Sequence, residues 1–120
     1  MDAQTLLQTA AVLLGITAAG GLAMAIMRFA GADRPPSWLA MLHGLLAASA
    51  LTLVVYAGFT VGIPRVAWIG LGLLVAAALG GVVLNLLYHV KQLPLPKGLV
   101  IFHTLLAVAG SGLIWLSAFR

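Results

Sequence analysis

Four stretches of the chain carry no charged residue: Leu6 to Met27, Ser37 to Pro64, Val66 to Tyr88 and Gly98 to Phe119. Each is long enough for the roughly 20 apolar residues that a helix needs to cross a hydrocarbon core. The breaks between them hold the polar and conformationally special residues. Residues 31–36 read Gly-Ala-Asp-Arg-Pro-Pro, residues 62–65 Gly-Ile-Pro-Arg, and residues 91–97 Lys-Gln-Leu-Pro-Leu-Pro-Lys. Proline lacks the donor that a helix interior requires, so it ends one helix or opens the next. The pattern predicts helices over about 6–29, 37–60, 66–90 and 98–119 in one domain of residues 1–120. Trp38, Tyr56, Trp68, Tyr88 and Trp115 fall near span ends, where amphipathic rings meet the bilayer surface.

Composition sharpens this. Hydrophobic residues make up 63% of the chain and charged residues 7%, against about 25% charged in a typical soluble domain. A protein with only Asp2 and Asp33 as acids and six Lys or Arg cannot cover a soluble surface. The fold class expected is therefore all-α, an integral membrane four-helix up-down bundle. The net charge of +4 does not mark a nucleic-acid binder, because the basic residues form no cluster and instead punctuate the apolar runs. Met1 to Gln4 contains no basic residue, which argues for a true first helix over a signal peptide. Arg28, Arg34, Lys91 and Lys97 flank the first and third loops, while Arg65 and Arg120 lie at the other end. The positive-inside bias then puts loops one and three in the cytoplasm and both termini outside, in a prokaryotic inner membrane. Cysteine is absent, which removes disulfides and thiolate chemistry.

Sliding the chain against itself by sixty residues brings rare types into register. Gly20 and Gly21 fall on Gly80 and Gly81, Pro36 on Pro96, His43 on His103, and Leu45-Leu46-Ala47 on Leu105-Leu106-Ala107. A tandem duplication of a two-helix unit is expected, with repeats at 1–60 and 61–120. Two spans per unit keep both copies in one orientation, related by a pseudo-twofold axis along the membrane normal. The second and fourth helices then lie diagonally across the core, which brings His43 and His103 to one depth.

The face of the second helix that carries His43 reads Pro36, Leu39, His43, Ala47, Ala50. On the fourth helix it reads Pro96, Leu99, His103, Ala107, Gly110. Small residues on the turns after each histidine imply either free volume or close backbone contact. Ionisable residues inside a membrane are costly and point to function. Two neutral imidazoles facing each other suit the iron of one haem b, with a nitrogen on each axial side. The macrocycle would occupy the volume cleared by Ala47, Ala50, Ala107 and Gly110, and its propionates would meet Arg28, Arg34, Lys91 or Lys97.

This pattern resembles the membrane cytochromes b that hold bis-histidine haem in a four-helix bundle. The resemblance implies His43 and His103 as axial ligands, and Gly20, Gly21, Gly80 and Gly81 as positions that make room for the porphyrin. Two-haem members carry a second ligand about four turns further along. Here those positions are Ala57 and Ser117, so one haem on the cytoplasmic side is expected. Electron transfer with a quinone or a partner redox protein follows from the resemblance, as a non-catalytic carrier, alone or in an oligomer or larger complex.

Other readings compete. The histidines could simply pack in a small structural or assembly subunit, since small residues at helix spacing are ordinary packing chemistry. Met24, Met27 and Met41, at similar depth, would suit copper(I) together with imidazole, and a chlorophyll could sit on each histidine. His89 has Phe29 as its counterpart and stands at a helix end, which suits an interfacial hydrogen bond. Asn85, one turn earlier, suits an interhelical hydrogen bond. No carboxylate lies within a span and no serine, histidine and acid set is present, which excludes triad hydrolysis and carboxylate-driven transport.

Overall fold

The computed structural model describes residues 1–120 and contains four helices, each long and apolar enough to cross a membrane. They are α1 (Ala3–Phe29), α2 (Ser37–Thr60), α3 (Arg65–His89) and α4 (Lys97–Ala118). The bundle measures 43 × 21 × 20 Å, so its long axis exceeds a hydrocarbon core of about 30 Å. Helix bounds fall within one residue of the sequence pattern except at the start of α1. α1 starts three residues early because Asp2 caps it, accepting from the Thr5 backbone N–H at 2.8 Å. The Thr5 hydrogen bonds hold the Asp2 carboxyl below its usual pKa. The last stretch of α3, Leu84–His89, is wound as a π-helix, which hydropathy alone does not predict. The chain leaves it through Gln92, a non-glycine residue with φ of 58°.

Packing is tight at one end of the bundle. Leu7, Ala10, Ala11 and Leu14 of α1 meet Ala50 and Val54 of α2, Ala67, Leu71 and Leu74 of α3, and Ile114 and Ala118 of α4. Small residues let backbones approach there. A Cβ added at Gly110 would lie 2.9 Å from the Gly70 carbonyl oxygen and 3.0 Å from the Leu74 nitrogen. The side chains of Gln4 and Gln8 both donate to the Ala118 carbonyl, joining the start of α1 to the end of α4.

The other half is looser. Beyond Thr17 on α1, and before Ala50 on α2, no residue of either helix is buried. A small cluster of Leu84, Leu95 and Val100 closes part of that half on the α3–α4 side. Across the end, loops one and three are laced by hydrogen bonds. Arg28 Nε donates to the Leu95 carbonyl at 2.8 Å, Arg34 Nη1 to the Gln92 carbonyl at 2.8 Å, and the Leu95 N–H to the Asp33 carbonyl at 3.1 Å. His89 Nε2 donates to the Pro35 carbonyl at 2.9 Å, the interfacial bond its position suggests. Pro35 and Leu95, sixty residues apart, thus both accept from a side chain of the opposite hairpin.

Close contact at Gly110 has a measurable consequence. Gly110→Ala would force a methyl group onto backbone atoms of α3 that cannot move independently, so a loss of about 1–3 kcal/mol is expected. Gly112→Ala, where an added Cβ meets nothing within 4 Å, should be neutral or stabilising through helix propensity. Unfolding of the two variants by SDS titration in detergent micelles measures the difference.

Candidate functional site: a facing pair of imidazoles

His43 on α2 and His103 on α4 are brought together across the bundle. Their ring centroids lie 6.2 Å apart with the planes inclined at 69°. Each ring is oriented from within its own hairpin. Nδ1 of His43 is 2.9 Å from the Thr17 carbonyl on α1, and Nδ1 of His103 is 2.7 Å from the Ala77 carbonyl on α3. Thr17 and Ala77 are again sixty residues apart. A carbonyl oxygen only accepts, so the proton of each neutral ring is on Nδ1 and the lone pair is on Nε2. Neither Nε2 takes part in a hydrogen bond. This is the arrangement that metal-ligating histidines adopt, with the far nitrogen donating to fix tautomer and ring orientation.

The glycines act directly on these rings. A Cβ at Gly21 would stand 2.7 Å from Cε1 of His43, and one at Gly81 would stand 3.2 Å from Cε1 of His103. Each imidazole therefore lies against the backbone of the adjacent helix, more tightly at Gly21 than at Gly81. Gly80 also faces His103, 3.6 Å from its Nδ1, and Gly20 faces Leu39 at 4.0 Å. The space expected beside a porphyrin at Gly21, Gly80 and Gly81 is taken by the imidazole edges, so these glycines seat the histidines.

The expected volume at Ala50 and Gly110 needs correction. Ala50 is fully buried in the core, and Gly110 is pressed against Gly70 and Leu74. The small residues one turn from the histidines, Ala47 and Ala107, are only half-buried. Open volume lies towards the loops instead. A cavity of about 830 Å³ is walled by Met27, Arg34, Ser37, Ala40, Asn85 and His89, among others. The basic residues separate accordingly. Arg34 borders this cavity, whereas Lys97 extends over the Phe29 ring, its Nζ 5.6 Å from the centroid. Asn85 and His89, on the π-helical end of α3, are cavity residues that linear spacing did not bring together with Arg34.

The pair can be tested for fit to a shared metal. Two metal–nitrogen bonds of about 2 Å, with roughly 1 Å more from each nitrogen to its ring centre, give facing centroids about 6 Å apart. The observed 6.2 Å is of that size. Two imidazoles at this separation would be able to hold one haem iron between them, while the glycine faces beside them are already filled by the rings.

Ring seating by glycine predicts a local response. In protein labelled with ¹⁵N-histidine, His43 and His103 should both show the Nδ1–H tautomer. Gly21→Ala should perturb the His43 signal and leave that of His103 in place.

Comparison with known proteins finds no matching family model, curated protein or solved structure, so the reading of this site rests on the residues of the chain itself.

Proposed function

We propose that this chain is a membrane cytochrome b in which one haem b is held between His43 and His103. The observation that carries the reading is the matched pair of rings. Both are oriented by Nδ1–H bonds to main-chain carbonyls, both have a free Nε2, and their centroids are separated by 6.2 Å. Bound haem would supply a reversible one-electron iron couple. The protein's own part is to fix both imidazoles, keep their ligating nitrogens unprotonated and surround them with apolar helices. The partner is a quinone or a redox protein, and the chain is an electron carrier.

On this reading the four helices cross a prokaryotic plasma membrane, with loops one and three in the cytoplasm and both termini outside. The chain is a tandem duplication of one helical hairpin, with repeats at 1–60 and 61–120. The equivalent bonds at Thr17 and Ala77, and the equivalent seats at Gly21 and Gly81, support that ancestry. Arg28, Arg34, Lys91 and Lys97 support the orientation. With no native cysteine, single cysteines at Ala32 and at Gly62 should label from opposite sides of sealed vesicles, Ala32 from the cytoplasmic side. Labelling of both from one side would refute the topology.

A structural or assembly subunit is the second reading. It is favoured by one fact, that each imidazole already has a hydrogen-bond partner on the adjacent helix. A visible spectrum separates the two. Purified protein made with ample haem should show a sharpened α band on dithionite reduction, and a colourless protein would exclude the cytochrome. His43→Ala and His103→Ala should each abolish the low-spin spectrum, while His89→Ala, whose ring bonds Pro35, should retain it.

A further inference from the structure

The cavity of about 830 Å³ at the loop end is used neither by the histidine pair nor by the packed core. It lies between the start of α2 and the end of α3. Two hydrogen bonds join its walls, His89 to the Pro35 carbonyl and Arg34 to the Gln92 carbonyl. Arg34, Ser37, Asn85, His89 and Gln92 give it polar walls, while Met27, Ala40, Met41 and Val90 give it apolar ones. Arg34 commits Nη1 to Gln92, and most of its five donors stay available. Asp33, the only acidic residue of the loops, is exposed and does not line the cavity.

Depth fixes what can reach this cavity. The bundle is 43 Å long and a hydrocarbon core is about 30 Å thick, so the first turn of α2, which holds Ser37 and Ala40, stands at headgroup level. Trp38, exposed in the same turn, suits that level. Met41 and Val90 line the cavity and are also largely exposed on the outside of the bundle, so the cavity opens sideways towards lipid. A second opening, of about 540 Å³, lies deeper on the same two helices, between Leu51, Thr52, Val55 and Tyr56 of α2 and Val75 of α3. The Thr52 hydroxyl donates to the Ala48 carbonyl, so it offers no free donor there. On α2 between the two openings, Gly44 and Ala48 are exposed, and a Cβ added at Gly44 would meet nothing within 4 Å. One outer face thus runs from a cationic, hydrogen-bonding end at the membrane surface to an apolar end at depth, which is the polarity profile of an amphiphile.

We propose that this face binds one anionic phospholipid, with its phosphate on Arg34, Ser37 and Asn85 as neutral donors, and an acyl chain along α2 towards Thr52 and Val55. An unpaired charge beside apolar helices is costly, and basic pockets between helices at the membrane surface suit anionic headgroups. A zwitterionic headgroup would bring a second cation to a wall that has no carboxylate, and a neutral one would leave Arg34 unpaired. The proposal takes the bundle to span a bilayer, as above, and does not involve haem, so lipid selectivity and the visible spectrum fail separately.

Native mass spectrometry of the delipidated full-length protein tests it. The protein is incubated in detergent with an equimolar mixture of phosphatidylglycerol and phosphatidylcholine of identical acyl chains, and the lipid retained per chain is read. Wild type should retain one phosphatidylglycerol in preference to phosphatidylcholine. Arg34→Gln should reduce that preference about tenfold, the effect of losing a charge-assisted bond, and Arg34→Lys should keep most of it. Lys97→Gln, whose cation lies over Phe29, and Arg65→Gln, at the opposite end, should match wild type. No preference in wild type, an unchanged preference in Arg34→Gln, or an equal loss in Lys97→Gln would overturn the proposal. Equal loss of both lipids in Arg34→Gln would show that the residue merely holds the loops, and would overturn it too. So would displacement of the lipid by inorganic phosphate, which would mean that the cavity recognises a free anion. Should Arg34→Gln fail to fold, the wild-type preference, measured against Lys97→Gln and Arg65→Gln, decides in its place.

Discussion

Two hydrogen bonds organise the interior of this protein: Nδ1–H of His43 to the Thr17 carbonyl and Nδ1–H of His103 to the Ala77 carbonyl. In a helix the carbonyl of each residue is already committed to an N–H four residues on, but an oxygen has a second lone pair, and the imidazole uses it. Such a bond needs the ring to lie almost on the helix surface, so a side chain at residue 21 would displace it and one at residue 81 would crowd it. Glycine at those positions, histidine opposite, and an Nε2 left without a hydrogen bond are therefore one constraint expressed at several residues. Losing the carbonyl partner would leave a polar ring in an apolar interior, at a cost of roughly 1–3 kcal/mol.

The rest of the bundle is arranged around this pair. Below it, alanines and glycines allow a dry core with close backbone approach between Gly70 and Gly110. Above it, α1 and α2 contribute no buried residue, and the ends are held by polar bonds between loops one and three. Packing is thus divided along the long axis: one half holds the helices together, and the half that carries the histidines retains open volume. The π-helical end of α3 belongs to the second half. Asn85 and His89 both lie in this π-helical stretch and form part of the polar wall of the cavity.

Much of this was legible in the sequence. Charge-free runs and proline punctuation predict all four helices to within a few residues, because a helix of this length has few alternatives. The match of Gly20, Gly21 and His43 to Gly80, Gly81 and His103 anticipates two rings at one depth, and they meet. What the glycines do was not legible, since spacing identifies a place without bulk and not what fills it; here the ring itself does. The volume expected at Ala50 and Gly110 became backbone contact for the same reason, as small residues suit either outcome. Arg34 and Lys97 look equivalent as loop cations, but side-chain reach separates them, one bordering a cavity and the other over an aromatic ring. The π-helix and the cavity beside Arg34 left no mark on hydropathy, which records neither how a backbone is wound nor how two hairpins meet.

The central claim is that both imidazoles coordinate one iron, and their relative rotation gives it a spectroscopic signature. Low-temperature electron paramagnetic resonance of the oxidised, haem-loaded protein measures it directly. Ring planes inclined at 69° predict a low-spin ferric signal dominated by a single strongly anisotropic low-field feature, the form expected for axial imidazoles far from coplanar. A high-spin ferric signal would mean that one of the two histidines is not a ligand, and the absence of any ferric haem signal would mean that neither is.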